Sequence, residues 1–201
     1  MFPFRNILFP TDFSAHAHAA LKYAAGFARR SAGRVLMLNV QDAKVPANLL
    51  TLPVHIFEDQ ENHWLLEIRA QTKGLLTDPL LNGVEVEPLF AAGEAATEIA
   101  RVAFEHEVDL ITLVTRGRNR ISRAFGSSIA EEIIAAAPCA VLATRPPQRD
   151  FVEHRGGHTQ FRLNRVLLAT NFRPSSAAAT QLATSISNHL GAELHAVYVI
   201  G

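Results

Sequence analysis

The sequence is poor in the features that would assign it quickly. A single cysteine, Cys139, among 201 residues excludes a disulfide framework. Its apolar setting, PCAVLAT, reads as a small, buried, unpaired thiol. Lysine occurs only at Lys22, Lys44 and Lys73, and 19 basic residues balance 19 acidic ones to a formal net charge of zero. No broad positive face for nucleic acid follows from that balance. No stretch approaches the roughly 18 apolar residues that a bilayer span needs, and MFPFRNILFPTDF lacks the charged-then-apolar layout of a secretory leader. The expectation is a soluble, cytoplasmic protein with neither a nucleic-acid nor a membrane partner.

Several named motifs are missing too. There is no Gly-x4-Gly-Lys-Ser/Thr loop and no Gly-x-Gly-x-x-Gly after the first apolar run, which disfavours Walker-type and dinucleotide-type sites. His16 and His18 stand two apart at a helix start and do not share a helical face, so no metal site is expected. No Gly-x-Ser-x-Gly elbow marks a nucleophile, and no catalytic residue is assigned. Trp64, within HWLLEI, reads as packing.

What is present is a repeat. Residues 4 to 40, FRNILFPTDFSAHAHAALKYAAGFARRSAGRVLMLNV, align without a gap on residues 163 to 199, LNRVLLATNFRPSSAAATQLATSISNHLGAELHAVYV, at an offset of about 159 positions. Each copy carries an apolar run, a Thr-Asp or Thr-Asn turn with Phe, an Ala-rich stretch, a Gly and a second apolar run, the pattern of strand, helix and parallel strand.

The apolar runs Asn6 to Pro10, Val35 to Val40, Val84 to Phe90, Asp109 to Thr115 and Cys139 to Thr144 are short and mostly continuous, as strands covered on both faces are. Helical stretches fall at Ala15 to Arg30, about Ile56 to Leu81, Glu94 to His106 and Ser128 to Ala137. The alternation predicts a doubly wound α/β domain with a five-stranded parallel sheet, extended by a C-terminal βαβ unit. Gln41 to His55, broken by Pro46 and Pro53, is expected to be irregular. Residues 145 to 161 have the composition of a linker or surface excursion. The expected division is a domain over 1–146, a linker over 147–162 and a partial second copy over 163–201. A lone βαβ unit is too small to cover its own apolar surface, so a homo-oligomer, with a dimer as the simplest form, is expected.

Ligands of open parallel sheets bind beyond the carboxyl ends of the strands. Pro10-Thr11-Asp12 puts a carboxylate there, either for a ligand amine or hydroxyl or for capping the next helix. Val40, ending the second strand, offers backbone groups to the edge of a base, or is a strand end and nothing more. The loop RGRNRISRAFGSS opens a helix, and its Arg116, Gly117, Arg118, Gly126, Ser127 and Ser128 form either an anion cradle or a solvated surface.

With ILFPTDFS, LMLNV, AAGEAATEIARVAFEHEVDLITLVTRGR and SRAFGSSIAEEIIAAAPCAVLATRP assembled, the chain resembles the universal stress protein (UspA) family over about residues 4 to 146. The resemblance implies a Rossmann-like five-stranded sheet and assembly through the fifth strand or through tandem domains. In the ATP-binding branch it implies that Asp12 and the Val40 backbone hold the nucleoside, and that a Gly-x2-Gly-x9-Gly-Ser/Thr loop holds ribose and phosphates. Adenine nucleotide, with ATP and an accompanying Mg2+, is therefore the candidate cofactor of a stress-response regulator. The loop departs from that pattern: Gly117 matches the second glycine, Val114 stands at the first, and Ser127 at the third, with Gly126 one place early. A side chain forced into a glycine conformation costs on the order of 1 to 3 kcal/mol, which favours the alternative of an interaction module without nucleotide. A weak ATPase is a third reading, with no evident base, metal pair or poised lysine.

Overall fold

A computed structural model describes residues 2–41, 63–115, 129–145, 150–155 and 158–198. Strand β1 (Asn6–Pro10) leads through helix α1 (Ala15–Ser31) to β2 (Arg34–Gln41). Helix α2 (His63–Leu76) and a short 3-10 turn (Pro79–Leu81) precede β3 (Glu85–Ala92). Helix α3 (Ala95–Glu105), β4 (Leu110–Val114), α4 (Ile129–Ala136) and β5 (Ala140–Thr144) complete the unit. The five strands form one parallel sheet in the order β3-β2-β1-β4-β5.

Successive strand residues point to opposite faces, and both faces are covered. Ile7, Phe9, Val35 and Met37 pack with Tyr23, Ala24 and Phe27 of α1. Leu8, Leu36 and Ile111 pack with Ile99 and Val102 of α3 and with Ile133 of α4. This two-sided burial is why the strands read as unbroken apolar runs.

Turn chemistry sets the element ends. The backbone N–H of Ala32, in the left-handed conformation (φ 50°), closes α1 onto Ala28 and Arg29 carbonyls. Gly33 follows because a Cβ there would lie 2.3 Å from the Arg5 carbonyl oxygen. The second helix ends at Leu76, short of the expected Leu81. Asp78 accepts the Leu80 N–H at 2.7 Å and Pro79 opens the 3-10 turn, and a ring nitrogen without a hydrogen cannot continue the helical ladder.

Within the stretch that reads as a linker, β6 (Val152–Arg155) and β7 (His158–Phe161) form an antiparallel hairpin on α1. Val152 is buried in the α1 core, the Phe151 ring lies tilted against Tyr23 with centroids 4.9 Å apart, and Asp150 accepts from Tyr23 Oη at 2.9 Å and pairs with Lys22 at 2.5 Å. Short strands with alternating polar residues have the composition of a loop, which is why the sequence pattern gives no strand there.

The chain continues as β8 (Arg165–Ala169), a 3-10 turn (Pro174–Ser176), α5 (Ala177–Leu190) and β9 (Glu193–Val197). β8 and β9 pair in parallel from Arg165↔Glu193 to Ala169↔Val197, as β1 and β2 pair from Asn6↔Arg34 to Pro10↔Leu38. Leu182, Ile186 and Leu190 of α5 pack against the Phe2 and Phe27 cluster. No helix among the described residues is long and apolar enough to cross a membrane.

Candidate functional site

β1 has β2 on one side and β4 on the other, so the chain leaves it in one direction and later crosses to the opposite side. That reversal opens a crevice at the carboxyl ends of β1 and β4. A cavity of about 490 Å³ occupies it, and Pro10, Thr11, Asp12, Val40 and Val114 all line it. Its size falls in the range of small-ligand sites, roughly 300 to 1,000 Å³.

The turn after β1 is held from three directions. Thr11 N–H donates to the Leu38 carbonyl at 2.8 Å, the Thr11 hydroxyl accepts from Phe13 N–H at 2.9 Å, and Asn39 Nδ2 donates to the Thr11 carbonyl at 2.8 Å. Gln41 Nε2 donates in turn to Asn39 Oδ1. Phe13 adopts φ 60°, a conformation costing an L-residue roughly 1 to 2 kcal/mol. The surrounding hydrogen bonds offset that cost and fix where Asp12 projects.

The two roles open to Asp12 in the sequence separate here. Ser14 is the cap of α1, its Oγ accepting from Ala17 N–H at 3.1 Å. Asp12 Oδ1 accepts from Ser14 N–H at 3.0 Å, supporting the cap while its exposed carboxylate lines the cavity. Val114 ends β4 opposite Thr144 and takes no positive φ, which among described non-glycine residues occurs only at Phe13, Ala32, Glu107 and Phe172. The strain expected of a glycine position is absent there; its side chain instead adds to the apolar wall. Arg116, Gly117, Arg118, Gly126, Ser127 and Ser128 lie outside the described residues.

The sequence did not single out the rest of the lining. Ala17 and Ala20 of α1, Ile99 of α3, and Ile133 of α4 give a mostly apolar chamber, with Ser14 and His16 beside Asp12. These helix residues look like ordinary core in the sequence. His16 carries a signal only in three dimensions: its buried Nε2 has no hydrogen-bond partner among the described residues. Glu94 caps α3 through Ala96 N–H at 2.9 Å and Thr97 N–H at 2.7 Å. A hydrogen bond from the Thr97 side chain, then those from the Ala96 and Thr97 N–H groups, holds its carboxyl below the usual range.

Cys139 belongs elsewhere, before β5 at the amino edge of the sheet. Burial, and then the charge of Asp109, pushes its thiol up to about 11. Among the described residues no group of three His, Cys, Asp or Glu side chains is placed to hold a metal ion.

The model of the universal stress protein family matches residues 3–145. The chain belongs to the universal stress protein family. It is 28% identical over 145 residues, covering 72% of this chain and 86% of the relative, to a protein of Staphylococcus aureus strain USA300 named for that family. A universal stress protein from Archaeoglobus fulgidus DSM 4304 superposes with a TM-score of 0.67 at 20% identity, over 98% of this chain and 66% of that one. A protein of Pseudomonas aeruginosa UCBPP-PA14 named for the family superposes with a TM-score of 0.60 at 18% identity, over 97% and 61%. Both superpositions extend past the five-stranded unit, and both concern fold alone.

Proposed function

We propose that this universal stress protein binds adenine nucleotide at the carboxyl edge of β1 and β4, with ATP as the ligand. Occupancy then biases the conformation or assembly of a stress-linked regulator. The observation that carries this reading is the convergence of Asp12, Val40 and Val114 on one cavity at the strand-order reversal. The apolar chamber suits a purine face, and the carboxylate suits an exocyclic amine or a ribose hydroxyl. Arg116, Gly117, Arg118, Gly126, Ser127 and Ser128 are assigned to ribose and phosphates, by the chemistry of arginine, small backbone and hydroxyl donors. One carboxylate in the cavity fits a Mg2+ held chiefly by phosphate oxygens and water.

We further read residues 1–146 as the binding domain, 147–162 as its connection and 163–201 as a partial second copy, in which Asn171 replaces the carboxylate of Asp12. Val114 and the early Gly126 favour a second reading, an interaction module without nucleotide. Mass spectrometry of the supernatant after denaturing the purified protein, before and after incubation with millimolar ATP, separates the two. The first reading expects adenine nucleotide to co-purify or to be retained through gel filtration. Absence of nucleotide in both samples leaves the interaction module.

A further inference from the structure

A second cavity, of about 290 Å³, lies where α1 ends, between the last turn of that helix and the hairpin of β6 and β7. Arg29 and Arg30 line it from α1, and His158, Thr159 and Phe161 line it from β7. Every polar side chain in this set can donate a hydrogen bond, and none is a carboxylate. The acidic residues of the hairpin are engaged elsewhere, Asp150 with Lys22 and Glu153 with Arg162.

Arg29 is fixed without being neutralised. Its Nη2 donates to the Asn82 carbonyl at 2.9 Å and to the Leu80 carbonyl, and its Nη1 donates to the Thr159 hydroxyl at 3.4 Å. Arg30 donates from Nη2 to the His189 carbonyl at 3.0 Å, and the rest of its guanidinium fork has no partner among the described residues. Neither arginine meets a carboxylate there. The neighbouring His154, hydrogen-bonded to the Thr159 hydroxyl at 3.0 Å, reports the sign of the field: burial, then the charges of Arg29 and His158, holds its imidazole below the ordinary value. Like charges gathered without a counter-charge repel one another. The helix dipole favours a cation in the last turn of α1, but it gives no reason for His158 to join, nor for Arg29 to be held by carbonyls of another element.

We propose that this cavity is a site for a phosphate group, separate from the cavity at Asp12. A tetrahedral phosphate presents acceptor oxygens in several directions, which suits donors arriving from a helix and from a strand, whereas a carboxylate presents its two in one plane. Arg29 and Arg30 supply charge-assisted hydrogen bonds, and His158 supplies an N–H in either tautomer. The Phe161 ring forms an apolar side for the carbon body of an ester. The volume lies at the lower end of small-ligand sites, roughly 300 to 1,000 Å³, and so fits inorganic phosphate or a small phosphomonoester. The inference does not rest on nucleotide binding at β1 and β4.

The test is a chemical-shift titration of the isotope-labelled full chain with inorganic phosphate and with glycerol 3-phosphate, at near-neutral pH and with ionic strength held constant by sodium chloride. Saturable shifts at Arg30, His158 and Thr159 are expected in the wild type at millimolar ligand. Arg30→Ala and His158→Ala, both at exposed positions, should each weaken binding about tenfold or more, as loss of a hydrogen bond to a charged group does. Arg30→Lys should recover part of that loss by restoring the charge, and circular dichroism verifies folding of each variant. Tighter binding of the ester identifies a phosphomonoester as the ligand and tighter binding of inorganic phosphate the free ion; either supports the site. Absence of saturable shifts at these residues up to tens of millimolar overturns the proposal. So does binding that Arg118→Ala abolishes and that Arg30→Ala and His158→Ala leave intact, which places the anion on the loop assigned to nucleotide phosphates.

Discussion

Phe13 and Ala32 are two non-glycine residues held at positive φ, and the structure treats them differently. Phe13 sits among hydrogen bonds that converge on the Thr11 turn, so its conformation belongs to the aiming of Asp12. Ala32 is an exposed helix terminator, with no such network. Ala32→Gly is therefore expected to stabilise the fold by about 1 kcal/mol, the cost of left-handed backbone in an L-residue, read as a higher midpoint in urea. Cys139 is the opposite case, a residue whose environment suppresses its chemistry. With its thiol pushed up to about 11 by burial and Asp109, it remains protonated near neutrality, and alkylation of the native protein at pH 7.5 should be far slower than after unfolding. Comparable rates would contradict this shielding of the half-buried thiol.

At the scale of elements, the hairpin of β6 and β7 explains a glycine inside a helix. A Cβ on Gly26 would lie 2.6 Å from Val152 Cγ1. Gly26→Ala gains about 1 kcal/mol in helix propensity but overpacks this contact at roughly 1 to 3 kcal/mol. A lower melting temperature is expected, with recovery when Val152→Ala is added. Asp150 ties the same hairpin to α1. Its carboxyl is held below the ordinary 3.8, first by Lys22 and further by the Tyr23 hydroxyl. A depressed folded value means the contribution is complete above the unfolded value and lost as pH falls through the folded one. Stability should therefore fall more steeply below about pH 4 in the wild type than in Asp150→Asn; equal slopes would remove Asp150 from that role. The strands of the sheet were legible because Ile7, Leu8 and Phe9 are buried on alternating faces, which leaves no polar position to blur the run. The hairpin was not, because Glu153, His154, His158 and Gln160 intersperse its few anchors. The end of α2 was overrun because Leu80 and Leu81 continue the apolar pattern past the proline that stops the helix.

Across the whole molecule, the strand order brings together residues far apart in the chain. Asp12, just past β1, Val40, near the end of β2, and Val114, at the end of β4, lie along the carboxyl edge of three adjacent parallel strands, a place legible for the first two from the strand ends and for Val114 from the resemblance to the family's loop. The chamber behind them was not, since Ala20, Ile99 and Ile133 differ from core residues only in facing a space. His16 shows the same limit: only packing reveals a buried Nε2 without a partner among the described residues, a state costing roughly 1 to 3 kcal/mol. His16→Leu should raise stability without ligand. The central claim, that this cavity is a nucleotide site organised by Asp12, is tested most directly by calorimetric titration of ATP into the wild type and Asp12→Ala. We expect saturable binding to the wild type and a loss of about one to two decades in affinity for the variant, the worth of a hydrogen bond to a charged group. Equal affinities, or no binding to the wild type at millimolar ATP, would contradict it.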